Sequence, residues 1–160
     1  MKNKCGVKIR QLTTLDLPKI LEIELDSFPE PWSQKIFEFI LKNEDSYLKV
    51  AERNSQVVGY IITVIEKKVD WKNLRRAEIG HIINLAVEKK QRRQGIGSIL
   101  VNHILKEVSK RKVEKVYLEV NESNIAAQKL YSKFNFKVEK RIRMYYQKME
   151  DAYVMSKILE

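Results

Sequence analysis

Val7 to Leu12 alternates between apolar and polar side chains, a period of two that predicts a strand. The pattern then changes period. Leu17, Ile20, Leu21, Ile23, Glu24 and Phe28 fall close to helical spacing, one acidic member among apolar ones. Thr14-Leu15-Asp16-Leu17-Pro18 opens this helix, with Thr14 as the expected cap and a proline suited to the first turn. Phe28-Pro29-Glu30-Pro31-Trp32 is expected as a loop, because two prolines cannot continue a helix. Ser33 then caps a second, short helix carrying Ile36, Phe37, Phe39, Ile40 and Leu41.

Tyr47–Glu52 and Val57–Glu66 read as strands joined at Arg53-Asn54-Ser55-Gln56, and Ala77–Val87, rich in Ile and Val, reads as a third. Gly95–Lys110 is a strong amphipathic helix with Ile96, Ile99, Leu100, His103, Ile104 and Val108 on one side. A strand over Val113–Val120 follows. Next comes a helix over Asn124–Phe134 with Ala127, Leu130 and Tyr131 on one face, then strands over Phe136–Tyr146 and Ala152–Ile158. The order is strand, two helices, three strands, helix, strand, helix, two strands. It predicts one α/β (α+β) domain over residues 1–160, a single mixed sheet flanked by helices.

Composition narrows the class. With 160 residues, 44% hydrophobic and 32% charged, the chain suits a folded globular domain with no need of covalent staples. Its one cysteine, Cys5, forms no internal disulfide, sits in no motif and is expected to be a spectator thiol. No apolar signal core follows Met1, and the longest apolar stretch, Val57–Ile65, is far too short for a bilayer, so a cytoplasmic protein without membrane contact is expected. The net charge of +10 favours polyanionic partners, from nucleic acid to a phosphate-rich small ligand, without choosing among them.

The candidate chemistry starts at Arg92-Arg93-Gln94-Gly95-Ile96-Gly97, between a strand and a helix start. Free amides at a helix N-terminus attract anions, glycines permit close approach, and arginines add charge, so this is a candidate pyrophosphate cradle. The Walker lysine and the dinucleotide-fold glycine spacing are both missing. The pattern Arg92-x-x-Gly95-x-Gly97 resembles the acyl-CoA loop of the GNAT (Gcn5-related) acetyltransferases, Arg/Gln-x-x-Gly-x-Gly/Ala. Ile83-Asn84-Leu85-Ala86-Val87 resembles their fourth strand. The run from Leu118 through Asn124 to Tyr131 resembles the second CoA motif of the protein N-terminal branch, the ribosomal-protein-alanine (RimI-type) enzymes and their archaeal relatives. Arg143–Tyr146 and Glu150–Met155 resemble that branch's C-terminal hairpin. One departure is Phe134-Asn135-Phe136 where Gly-Phe usually stands; asparagine also tolerates positive φ, so the turn is expected to persist.

The resemblance implies a mostly antiparallel sheet of about seven strands with splayed central strands and about four helices. It implies acetyl-CoA as cosubstrate and no metal. Leu85, Ala86 and Val87 would hold the pantetheine arm, with amides near Leu85 and Ala86 stabilising the oxyanion. Arg92, Arg93, Gln94, Gly95, Ile96, Gly97 and Ser98 would hold the pyrophosphate, and Asn124 the pantetheine or a water. His81 and Glu119 would act as base or water-holding pair, and Tyr131 as general acid on the departing thiolate and as a cofactor contact. Phe28, Pro29, Glu30 and Trp32, with Tyr145 and Tyr146, would bind the substrate's first residues in a narrow slot. The residues alone leave plainer readings open: a hydrogen-bonded His81, a packed Tyr131, and Phe28 and Trp32 as core side chains.

The implied partner is a protein or peptide N-terminus, ribosomal proteins among the candidates, with no requirement for nucleic acid. An enzyme acting on lysine side chains or small amines is the alternative. A basic nucleic-acid module is disfavoured by scattered charge and the lack of a recognised motif. A CoA sensor without activity is disfavoured by the presence of Glu119 and Tyr131.

Overall fold

The computed structural model describes residues 6–70, 74–146 and 149–159. Cys5 lies outside them. The elements are β1 (Val7–Gln11), a 3-10 turn (Thr14–Asp16), α1 (Leu17–Ser27), α2 (Gln34–Leu41), β2 (Ser46–Arg53), β3 (Gln56–Asp70) and β4 (Arg75–Val87). A second 3-10 turn (Lys89–Gln91), α3 (Ile96–Ser109), β5 (Lys115–Asn121), α4 (Ile125–Ser132), β6 (Lys137–Ile142) and β7 (Ala152–Ile158) follow. The predicted order holds throughout.

Several boundaries differ from the sequence reading; β3, for one, runs four residues beyond the expected Glu66, to Asp70. Thr13, not Thr14, caps the first turn: its N–H and hydroxyl both donate to Asp16 Oδ2, at 2.8 and 3.1 Å. Asp16 in turn occupies the cap position of α1 and takes both Arg10 Nη groups at 2.8 Å. The competing principle is side-chain capping by an acid three residues on, which the Thr-x-x-Asp spacing supplies one residue earlier than expected. β6 stops at Ile142, so Tyr145 and Tyr146 belong to the connection before β7 rather than to a strand.

Hydrogen bonds link the strands in the order β1-β2-β3-β4-β5-β7-β6. β1–β2, β2–β3, β5–β7 and β6–β7 are antiparallel and β4–β5 is parallel. Asn54 and Ser55, at φ +50° and +61°, turn β2 into β3; two positive-φ residues give the turn whose twist matches a hairpin.

The chain groups into two compact units. Of the described residues, 6–64 and 84–104 form the first, whose core includes Ile20, Phe37, Leu48, Tyr60, Ile62 and Leu100. Phe37 packs edge-on against Tyr60, centroids 5.9 Å apart. Of the described residues, 65–70, 74–83, 105–146 and 149–159 form the second, whose core includes Val116, Leu118, Tyr131, Phe136, Val154 and Met155. Among the described residues no helix is long and apolar enough to cross a membrane.

Candidate active site

The glycine loop enters α3 in the first unit. Gly95 adopts φ +81° and Arg93 φ +63°, and a Cβ on Gly95 would meet no atom within 4 Å. The loop therefore turns sharply and leaves open space at its apex. The first α3 hydrogen bond runs from Ile99 N–H to the Gly95 carbonyl at 3.1 Å, so the amides of Ile96, Gly97 and Ser98 precede the intrahelical ladder. Side chains brace the turn from behind. Arg92 Nε donates to the Val87 carbonyl at 2.8 Å and its Nη2 to Ser27 Oγ at 3.0 Å. Arg53 donates to Gln91 Oε1 and Gln94 Oε1 at 2.7 and 2.6 Å. Gly59 allows the backbones of β3 and β4 to approach: a Cβ there would lie 2.9 Å from the Ala86 carbonyl oxygen.

Glu24, the acidic member of the α1 face, is 1% exposed. It accepts hydrogen bonds from the Tyr60 hydroxyl, from Asn84 Nδ2 (3.2 Å to Oε2) and from the Trp32 amide (2.9 Å to Oε1). Burial, and then the Glu24 charge, raise Tyr60 well above the usual phenol range, so it remains a donor. A carboxylate within the apolar face thus pins the Pro29–Trp32 loop through its backbone. Trp32 packs on Phe37 at 5.7 Å, a core contact, whereas Pro29 and Glu30 are exposed and Phe28 is half-buried.

The second unit holds the titratable cluster. The parallel ladder pairs Ile79–Lys115, Gly80–Val116 and His81–Tyr117. Alternation on β5 places Tyr117 and Glu119 on one face, while Val116, Leu118 and Val120 are buried on the other. His81 Nε2 lies 2.6 Å from Glu119 Oε2, and His81 Nδ1 lies 3.1 Å from Glu66 Oε1. The Tyr117 ring stacks on the imidazole, centroids 4.2 Å apart, and its hydroxyl donates to Glu66 at 2.8 Å. Lys68 Nζ donates to Glu66 Oε2 at 2.7 Å. Burial works to raise Glu66, but hydrogen bonds from Lys68 and Tyr117 and the nearby positive charge bring it below the usual carboxylate range. Burial and the Glu66 hydrogen bond hold Tyr117 protonated.

Tyr131 is placed by the end of α4. Phe136 N–H bonds to the Tyr131 carbonyl and Asn135 N–H to that of Ser132, at 3.2 and 3.0 Å, with Asn135 at φ +64°. This is a Schellman stop, and its expected apolar contact is the Tyr131–Phe136 ring pair at 5.6 Å. The asparagine thus does the work of the usual glycine. Burial raises the Tyr131 phenol above its ordinary range, Tyr146 adding to the effect. Tyr145 and Tyr146 form an edge-on pair at 5.0 Å, and burial pushes Tyr146 up to about 12. Asn124 caps α4, its Oδ1 accepting from the Ala127 amide at 3.0 Å.

A family model described as the acetyltransferase (GNAT) family matches residues 17–136. The chain belongs to the GNAT acetyltransferase family. An N-alpha-acetyltransferase of Sulfolobus acidocaldarius is 34% identical over 162 residues, covering 97% of this chain and 94% of that protein. The crystal structure of the ribosomal-protein-S18-alanine N-acetyltransferase from Escherichia coli superposes with a TM-score of 0.82 at 30% identity, over 96% of this chain and 94% of the other. Arabidopsis thaliana Naa50 in complex with the bisubstrate analogue CoA-Ac-MVNAL gives 0.79 at 31% identity, over 94% and 97%.

Within this GNAT chain the sequence-predicted residues divide by unit. Phe28–Trp32, Leu85–Val87 and Arg92–Ser98 belong to the first; His81, Glu119, Asn124, Tyr131, Tyr145 and Tyr146 belong to the second. The structure brings His81 and Glu119 into direct contact; burial raises both Tyr145 and Tyr146, the Glu119 charge adding to it. Sequence reasoning missed Glu66, Tyr117 and the Glu24–Asn84–Tyr60 group. The alternation Tyr117-x-Glu119 carried a signal for one of them, since both must share a face. Glu66 carried none, because it closes the expected Val57–Glu66 strand, where an acid is ordinarily solvated.

Proposed function

We propose that this GNAT enzyme transfers the acetyl group of acetyl-CoA to the N-terminal α-amine of proteins, the whole chain acting as one acetyltransferase domain. The observation that carries the reading is the 2.6 Å contact between His81 and Glu119, held in a chain 34% identical to an N-alpha-acetyltransferase. The relatives named for acetylation of a ribosomal protein's alanine, and the structure with a CoA–peptide analogue, support the same substrate class. The single cysteine and the nature of these relatives support a cytoplasmic setting.

The chemistry follows from the residues. The pyrophosphate is received by the amides of Gly95–Ser98, at the positive end of α3, with Arg92 and Arg93 adding charge. The amides of Leu85–Val87 serve the pantetheine and the oxyanion. An α-amine with a pKa of about 7.7–8.0 needs only a modest base. Its nitrogen attacks the thioester carbonyl carbon, and its proton passes to the His81–Glu119 pair directly or through water. As the C–S bond breaks, Tyr131 protonates the leaving thiolate. Burial raises Tyr131, so the phenol holds its proton near neutral pH. Substrate contacts are assigned separately to the Pro29–Trp32 loop of the first unit and to Tyr145 and Tyr146 of the second.

A peptide library varied at its first two positions, incubated with labelled acetyl-CoA, tests the substrate class. Label should enter the α-amine of a subset defined by those positions. Label indifferent to the N-terminus would redirect the reading to lysines or small amines.

A further inference from the structure

We propose that Glu66 is a positioning residue for His81, holding its proton on Nδ1 so that Nε2 is the nitrogen presented to Glu119. The proposal rests on the reading of His81 and Glu119 as the proton-accepting pair. Hydrogen-bond accounting leads to it. An ionised carboxylate can only accept, and Glu66 accepts from three sides: the Tyr117 hydroxyl at 2.8 Å and His81 Nδ1 at 3.1 Å on Oε1, Lys68 at 2.7 Å on Oε2. Nδ1 must therefore carry hydrogen. The proton of one ring nitrogen is set by the partner of the other, and here that partner is fixed.

The ring plane is fixed as well. Tyr117 lies against the imidazole at an interplanar angle of 12°, and Lys68 Nζ lies over the Tyr117 ring, 4.9 Å from its centroid. A ring flipped by half a turn would aim carbon at both Glu66 and Glu119 and forfeit both bonds. Only one orientation meets both carboxylates. Lys68 also neutralises Glu66, so the acid that reaches toward the amine is Glu119 alone. At 2.6 Å, one proton must lie between Nε2 and Glu119 Oε2, for two lone pairs would repel. Glu66 thus leaves the shared proton, and the second Glu119 oxygen, at the reacting end of the chain of groups.

The chain contains two histidines, so a protein labelled with [15N]histidine shows two rings, and a His103→Gln variant assigns them. Wild type is expected to show a protonated Nδ1 in His81. Glu66→Leu removes the acceptor, moves the ring proton to Nε2, and lowers kcat by roughly tenfold or more, as loss of a carboxylate orienting a histidine does at metal sites. KM for acetyl-CoA stays within about twofold, because ground-state binding is untouched. Glu66→Gln keeps a carbonyl acceptor and retains both the Nδ1 proton and most of the turnover. Should Glu66→Leu fail to fold, Tyr117→Phe removes one donor to Glu66 and is expected to weaken the same signature. An unchanged Nδ1 proton, or unchanged kcat, in a folded Glu66→Leu protein overturns the proposal. Wild type that leaves free N-termini unmodified overturns the functional reading instead, while the ring signature still decides what Glu66 does.

Discussion

His81 Nε2 and Glu119 Oε2 meet at 2.6 Å although the residues stand 38 positions apart in the chain. Parallel pairing of His81 with Tyr117 sets the relation: Glu119, two residues further along β5, shares the face of Tyr117. The two side chains share one short hydrogen bond, and under the proposed function they act as a unit.

A mutant cycle therefore should not be additive. His81→Ala and Glu119→Gln each reduce kcat/KM, by roughly 10²-fold if the pair supplies general-base catalysis. The loss is larger below pH 7 than above pH 8, because an unaided α-amine is mostly protonated at the lower pH. The double variant falls little further than the worse single one. Rate–pH profiles of all four proteins check this; additive, pH-independent losses would separate the two residues.

Tyr131→Phe removes a proton donor without removing the ring that packs on Phe136. Turnover should fall roughly 10²–10⁴-fold while acetyl-CoA binding holds. Since burial raises the phenol, wild type should show no loss of rate from its ionisation up to pH 9. The same site can be reached indirectly. Asn135→Val places a β-branched residue at φ +64° and should destabilise the protein by about 1–3 kcal/mol, whereas Asn135→Gly should be tolerated. Stopped-assay rates and thermal melts distinguish the two roles.

Gly95 faces open space, so bulk there obstructs a ligand rather than a neighbour. Gly95→Val should raise KM for acetyl-CoA, with a stability loss of about 1–2 kcal/mol from the backbone at φ +81°. Isothermal titration with acetyl-CoA, on protein shown folded by circular dichroism, is the check. Undiminished affinity would place the pyrophosphate elsewhere.

The element order, the glycine turn and the asparagine stop were all legible in the sequence because each is a local event. Gly95 and Asn135 declare positive φ by residue type, and alternation declares β1 and β5. The Thr14 cap was off by one because Asp16 serves two elements, as partner of Thr13 and as cap of α1. Glu66, Tyr117 and Asn84 could not be read, for their meaning depends on pairing. Strand register brings Glu66 to a histidine 15 residues on, and a fold-level approach brings Asn84 to a glutamate 60 residues back. Glu24 was visible as an anomaly on an apolar face; only the structure shows the three donors that explain it.

Asp16 marks where stability meets pH. The Arg10 hydrogen bonds hold its carboxyl below the usual range, against the opposing effect of burial. A depressed folded value means that its contribution is present above the unfolded value near 3.8 and is lost as pH falls through the folded one. Asp16→Asn should thus lower Tm at pH 7, by the equivalent of about 1–3 kcal/mol, and narrow the gap to wild type as pH drops below 4. Melts from pH 7 down to pH 2 measure both slopes.

The proposed function requires an α-amine, rather than a lysine side chain, as the group acetylated. Two peptides decide it, alike except that the first has a free N-terminus and no lysine and the second a blocked N-terminus and one lysine. Measured with the wild-type protein and acetyl-CoA, kcat/KM should be high for the first and near background for the second, and His81→Ala should lower the first rate. Faster acetylation of the blocked, lysine-bearing peptide would contradict the account.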